Sequence, residues 1–122
     1  MIVKKLNWLS EEGQEAELVV SDGTYECVAF CHPCSLSEGG KIQECLYAFD
    51  TENLMLSDEK AYLIKQREPE MFEHDCIAQV VDRSKELVRV GDLLIVLDET
   101  LPIGCDDRTF VQFSCGRLDV LW

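Results

Sequence analysis

The sequence contains no long apolar run and no cluster of basic residues. No apolar run exceeds that of residues 93–97, and a membrane-spanning helix needs about 20 such residues. The 11 lysines and arginines are scattered among 24 acidic residues, which gives a net charge of −13. Nucleic-acid binding depends on basic side chains that neutralise phosphates, and an anionic lipid surface would also repel this chain. We therefore expect neither a nucleic-acid partner nor a membrane partner.

Features of an exported protein are also missing. Residues 1–8 contain no apolar segment of the kind found in secretory signals and no small-residue cleavage site. The seven cysteines are an odd number, so they cannot all pair within one chain. We expect a cytoplasmic protein whose cysteines are free thiols and mostly act as small hydrophobic residues of the core.

The length and composition predict a single domain over residues 1–122. Apolar residues make up 47% of the chain, as in an ordinary globular protein. A chain of 122 residues can bury a core without help from disulfides or a metal. No repeat, linker or low-complexity segment divides it.

Short β-prone runs separated by turn residues predict a mainly-β fold. The runs 15–20 and 25–30 flank Asp22-Gly23, a strong hairpin signal. Further strands are predicted at 42–49, 76–81, 87–90, 93–97, 109–115 and 118–122. The run 93–97 is apolar throughout, so we expect it to be buried on both faces. The predicted core contains Val80, Leu93, Ile95, Val96, Val111 and Phe113.

The segment between Thr51 and Asp75 allows two interpretations. Ser57 could cap a short helix, whereas Ala61 to Ile64 fits a strand equally well. With at most one short helix among many short antiparallel strands, the architecture resembles a small, partly open barrel of the OB type. This resemblance concerns architecture alone, and fold does not determine function.

The sequence Cys31-His32-Pro33-Cys34 is the one constellation with possible chemistry. With Cys27 it has the spacing of radical enzymes that bind an iron–sulfur cluster, but those enzymes resemble large α/β barrels and this chain is too short. The Cys-x2-Cys pair resembles a thioredoxin-like redox motif. In that family a helix follows the pair and lowers a cysteine pKa, whereas residues 35–40 are predicted to form a loop.

A zinc site is the stronger functional alternative for these residues. Cys31 and Cys34 with His74 and Cys76 would form a tetrahedral Cys3His set. Nothing in the sequence shows that the two segments meet. The simpler interpretation is that the cysteines fill the core and that His32 and His74 are ordinary surface residues, and we favour it.

No catalytic residues can be assigned from the sequence. Neither histidine lies in a nucleophile motif, and no phosphate-binding glycine loop is present. We expect a non-catalytic binding or interaction module with a protein or small-molecule partner and no cofactor. The alternative is a metal- or thiol-dependent protein that uses Cys31, His32 and Cys34, with zinc as its metal.

Overall fold

The computed structural model describes residues 1–120, and 52% of the chain forms β-strands. Within these residues there is no α-helix, and the one helical turn is a 3-10 turn at Arg83–Lys85. None of the described residues form a helix with the length and apolar character of a membrane span. The strands are β1 (Ile2–Ser10), β2 (Glu15–Ser21), β3 (Glu26–Cys31), β4 (Leu46–Phe49), β5 (Glu52–Leu56), β6 (Leu63–Gln66), β7 (His74–Asp82), β8 (Leu87–Val90), β9 (Leu93–Val96), β10 (Phe110–Cys115) and β11 (Arg117–Val120).

All of these strands belong to one continuous sheet. Its order is β1-β2-β3-β11-β4-β9-β8-β7-β10-β5, and β6 pairs with β7 in addition. Most pairs are antiparallel, whereas β11 with β3 and β4 with β9 are parallel. The sheet is not closed, because β1 and β5 stand at its two ends. The mainly-β prediction is confirmed, but the OB-like barrel is not.

The core is formed by one face of this sheet. Along β2 and β7 alternate residues are buried, as expected for strands with one face turned inward. Most of the predicted core is confirmed, but Val96 is only half-buried. The expectation that 93–97 is buried on both faces is wrong, because Leu94 and Val96 point outward and are partly covered. The confirmed core residues are Val80, Leu93, Ile95, Val111 and Phe113.

The predicted hairpin is present as β2 and β3, and a carboxylate fixes its turn. Asp22 Oδ1 accepts hydrogen bonds from the backbone N–H groups of Thr24 (2.8 Å) and Tyr25 (2.7 Å). Asp22 Oδ2 accepts one from Asp92 N–H (2.8 Å). The intervening Gly91 has φ of 58°, and a Cβ there would lie 2.6 Å from Asp22 Oδ2. This contact therefore requires glycine and joins the hairpin to the turn between β8 and β9.

Three predicted segments need comment. Between Thr51 and Asp75 the strand alternative is the better one: β6 overlaps the suspected strand 61–64, and no helix forms there. Ser57 Oγ accepts a hydrogen bond from Glu59 N–H (3.2 Å) in a turn between β5 and β6. The strand predicted at 42–49 begins only at residue 46. The strand predicted at 118–122 is present as β11, and Leu121 and Trp122 lie outside the described residues.

Candidate functional site

The predicted Cys-x2-Cys pair lies inside the fold rather than on an open surface. Cys31 ends β3 and Cys34 follows it, and both are buried. Cys34 N–H donates to Gln14 O (2.8 Å), which holds the segment after β3 against the turn between β1 and β2. Burial and a hydrogen bond with Cys34 raise the pKa of the Cys31 thiol to about 12. At neutral pH this thiol stays protonated, so it is a poor nucleophile.

The two histidines have different surroundings. His32 is exposed, with its ring 6.4 Å from the Phe30 ring centroid. His74 is fully buried, so the expectation that it lies on the surface is wrong. Val28 N–H donates to His74 Nε2 (3.1 Å), and His74 Nδ1 lies 2.9 Å from Phe72 O. Because a backbone N–H can only donate, Nε2 accepts, and the neutral ring carries its proton on Nδ1.

His74 supports the sheet at a point where strand pairing stops. β3 pairs with β2 along its length but with β11 only at Phe30 and Cys31. The N–H of Val28 on the other part of this edge is satisfied by the His74 ring. A buried N–H without a partner would destabilise the fold by about 1–3 kcal/mol. The role of His74 in this structure is therefore structural.

Cys76 lies in the core with two other thiols. A hydrogen bond with Cys115 and burial raise its pKa, and Cys27 lies nearby. The five predicted site residues thus occupy separate surroundings: Cys31 and Cys34 come together, whereas His74 and Cys76 have other partners. Within residues 1–120, no group of three or more His, Cys, Asp or Glu side chains is placed to hold a metal ion.

An extensive concave surface lies where four loops meet at one end of the sheet. Two adjoining depressions of about 710 and 530 Å³ share Asp50, Glu73 and Gly116. We call their combined surface the loop-end cleft. Its walls come from the β4–β5 turn, the β6–β7 loop, the loop after β9 and the β10–β11 bend. Its acidic residues are Asp50, Glu52, Glu70, Glu73, Asp98 and Glu99.

The β4–β5 turn shapes the middle of the loop-end cleft. Asp98 accepts hydrogen bonds from the backbone N–H groups of Asp50 (2.9 Å) and Thr51 (3.3 Å). A Cβ on Gly116 would lie 3.0 Å from Asp50 Cβ and 3.1 Å from Asp50 Oδ2. Glycine at this bend therefore allows the Asp50 side chain to pack against the start of β11.

Two arginines line the loop-end cleft, and each is held by a carboxylate of its own chain. Arg67 donates to Asp75 Oδ1 (2.7 Å) and to Ser114 Oγ (3.1 Å), and Glu73 lies 3.4 Å away. The Arg67 guanidinium lowers the pKa of Asp75. These contacts fix the Arg67 side chain on the outer face of β7 and β10.

Arg117 is fixed by both charge and aromatic contact. Its Nε and Nη2 donate to the two oxygens of Asp119 (2.6 and 2.8 Å). Its guanidinium lies 4.5 Å from the Phe30 ring centroid and 5.8 Å from that of Phe49. Phe72 packs edge-on against Phe30 at 5.9 Å.

Four of the six carboxylates in the loop-end cleft have no such partner. Within the described residues, no ion pair or side-chain hydrogen bond reaches Asp50, Glu52, Glu70 or Glu99. Beside them, the apolar side chains of Phe49 and Met71 are 37% and 46% exposed. The cleft therefore combines uncompensated negative charge with exposed apolar surface.

A second acidic depression, of about 670 Å³, has the opposite character, and we call it the Arg83 cleft. Asp82 Oδ1 accepts from Ser84 N–H (3.0 Å), and Asp107 Oδ1 accepts from Arg83 N–H (2.8 Å). Glu86 Oε2 accepts from the backbone N–H of Leu101 (3.4 Å), and Asp106 lies 4.0 Å from Arg83 Nη1. Each of its carboxylates is thus engaged by the protein itself.

Sequence reasoning did not find the loop-end cleft. Its acidic residues come from separate loops, and pairs of carboxylates are common in a chain of this charge. The available signal was that each loop follows a predicted or suspected strand, but only the strand order shows that these loops meet.

Comparison with known proteins assigns no family to this chain. No family model matches it, and neither a curated protein nor a solved structure is significantly similar to it.

Proposed function

We propose that this protein is a non-catalytic, cytoplasmic interaction module that binds a partner protein in the loop-end cleft. The observation that carries the proposal is the joining of free carboxylates and exposed apolar side chains in one concave surface. Binding surfaces combine apolar contacts with a few fixed polar groups. Arg67 and Arg117 are fixed by their aspartates, so the cleft keeps its shape before a partner arrives.

Two further features of the chain support this proposal. Seven free cysteines within residues 1–120 fit a reducing compartment such as the cytoplasm. The net charge of −13 opposes binding to nucleic acid. We also propose that the sheet curls into a partly open barrel, since a single face encloses the core and His74 of β7 contacts β3.

The alternative, a metal- or thiol-dependent protein, rests on Cys31, His32 and Cys34. Two of these three side chains are buried, and His32 is the exposed one. Metal analysis of the purified protein tests this alternative. One zinc per chain that is lost in the Cys31→Ser, Cys34→Ser double variant would favour it over the interaction module.

Site-specific photocrosslinking in cells that naturally make the protein tests the interaction module. A photoreactive phenylalanine analogue replaces Phe49 or Met71 in the cleft, and Ile103, which is 99% exposed outside it, provides the control. We expect the same crosslinked protein from both cleft positions and none of it from position 103. No product from the cleft positions, or equal products from all three, would contradict the proposal.

A further inference from the structure

We propose that the loop-end cleft recognises a cationic segment of its partner that carries both basic and apolar side chains. This inference rests on the proposed function and adds the chemistry of the partner. It follows from the charge, the apolar wall and an unsatisfied hydroxyl group, which lie together in the cleft.

The charge of the cleft selects for cations. Asp50, Glu70 and Glu99 have no basic partner within residues 1–120, and Glu52 has only the electrostatic attraction of Arg67, without an ion-pair contact. Both arginines of the cleft are neutralised by Asp75 and Asp119. A concave surface lined by charge of one sign concentrates the electric field and attracts the opposite charge. The free carboxylates can therefore bind a cation without displacing an internal ion pair.

The exposed apolar side chains of the cleft, which form its apolar wall, favour a ligand that is more than a simple cation. Phe49 and Met71 are exposed beside Glu70 and Glu73. Burying such side chains against a partner is favourable, and aromatic faces also attract guanidinium and ammonium groups. A peptide with both charged and apolar side chains uses this surface fully, whereas a small polyamine leaves the apolar wall uncovered.

An unsatisfied hydroxyl group in the same wall points independently to a ligand. Thr51 lines the cleft and is only 4% exposed, yet its Oγ1 has no hydrogen-bond partner among residues 1–120. Buried hydroxyl groups nearly always have a partner. The Oγ1 atom itself has less than 1 Å² of accessible surface, so an arginine or lysine N–H of the partner reaches it only if the cleft widens around the bound segment.

The protein itself shows how such a surface holds a guanidinium. Arg117 is paired through two hydrogen bonds with Asp119 while its plane lies near the rings of Phe30 and Phe49. Carboxylate and aromatic groups thus stabilise an arginine at the edge of the cleft. Glu70, Met71 and Phe49 offer a partner the same combination of groups.

Fluorescence anisotropy with defined peptides at physiological salt tests the inference. The probe is a short labelled peptide of alternating arginine and leucine. Its controls are the same peptide with citrulline, which is neutral but similar in shape, or with glutamate in place of arginine, and spermidine as an unlabelled competitor. We expect the arginine peptide to bind at least about tenfold more tightly than the citrulline peptide, and spermidine to compete weakly.

Two charge-reversal variants separate cleft binding from general attraction to an acidic protein. Glu70→Lys with Glu99→Lys alters the cleft, and Glu11→Lys with Glu12→Lys makes the same charge change in the exposed β1–β2 turn. We expect the cleft variant to bind the arginine peptide roughly tenfold more weakly and the turn variant to differ by less than about twofold. Both substituted pairs are exposed, so both variants should fold.

The outcomes distinguish this inference from the function on which it rests. Equal weakening in both variants, or equal binding of the arginine and citrulline peptides, would overturn the cationic specificity. If spermidine competes as strongly as the unlabelled arginine peptide, the ligand of the cleft is a polyamine and not a segment of a protein. If crosslinking from Phe49 and Met71 still succeeds in those cases, the cleft remains an interaction surface with another specificity.

Discussion

The two acidic clefts of this protein are built from the same kinds of side chain, but they use them differently. In the Arg83 cleft, the carboxylates of Asp82 and Asp107 accept hydrogen bonds from nearby backbone groups. In the loop-end cleft, Glu70 and Glu99 have no partner within the described residues. Carboxylates of the first kind stabilise turns, whereas those of the second kind make no stabilising contact with the described residues. Acidic composition alone therefore does not identify a binding site, and the internal partners of each group must be traced.

The largest effect on stability is expected from a buried polar side chain of the interior, His74. We expect His74→Ala to lower the free energy of unfolding by about 3 kcal/mol, because it leaves a cavity and removes the acceptor of Val28 N–H. His32→Ala, at the exposed histidine, should change it by less than about 0.5 kcal/mol. Urea unfolding measures both variants. Equal effects of the two substitutions would contradict the structural role of His74.

The same histidine predicts a pH dependence of stability. Burial lowers the pKa of His74, so the folded protein binds a proton less readily than the unfolded chain, whose histidine pKa is about 6.5. The contribution of neutral His74 is complete above that value, and stability falls as the pH drops below it. Urea midpoints between pH 8 and 5 should show this fall, and a variant such as His74→Gln should reduce it. An unchanged slope in that variant would assign the pH dependence to other groups.

A smaller effect is expected from the arginine at the centre of the Arg83 cleft. Arg83 Nη1 donates to the carbonyls of Pro102 (2.9 Å) and Cys105 (2.8 Å). Arg83→Leu should lower the free energy of unfolding by about 2 kcal/mol, because these acceptors lose a charged donor. Arg67→Leu in the loop-end cleft should lower the free energy of unfolding by about 1 kcal/mol or less, since Asp75 and Ser114 can form hydrogen bonds with water instead. Chemical denaturation that shows the larger loss for Arg67 would reverse the comparison.

The edge strands show where sequence reasoning ended. The hairpin of β2 and β3 and the run that became β7 were predicted, because burial of one face imposes alternation on their residues. Along β1 only Val3 is buried, and no residue of β5 or β6 is. Such strands are held by pairing along their backbones, which leaves little trace in the side-chain pattern. The sequence therefore predicted the core of the sheet better than its margins.

The loop-end cleft was not predicted from the sequence, for a related reason. The cysteine and histidine motif was visible because its residues are close in sequence, but the fold gives His74 and Cys76 partners other than Cys31 and Cys34. The loop-end cleft depends on which loops the strand order brings together. Local spacing carries no information on that point.

The smallest predicted effects compare single carboxylates of the two clefts. Asp107→Ala should lower the free energy of unfolding by about 1 kcal/mol, because Arg83 N–H loses its acceptor. Glu99→Ala should leave the free energy of unfolding unchanged or raise it by roughly 0.5 kcal/mol at most, because it removes one negative charge from a strongly acidic protein. Thermal and urea unfolding at low salt resolve such a difference. A loss for Glu99→Ala that matches that of Asp107→Ala would mean that Glu99 has a structural partner.

Mapping of the bound peptide by NMR tests the central claim most directly. The labelled protein is titrated with the arginine–leucine peptide, and the backbone amide signals of both clefts are followed. We predict that the amides of Thr51, Glu73 and Gly116 shift in a saturable way, while those of Ser84 and Asp107 stay in place. Shifts of similar size in both clefts would show that the peptide follows negative charge in general, and would contradict a binding site in the loop-end cleft.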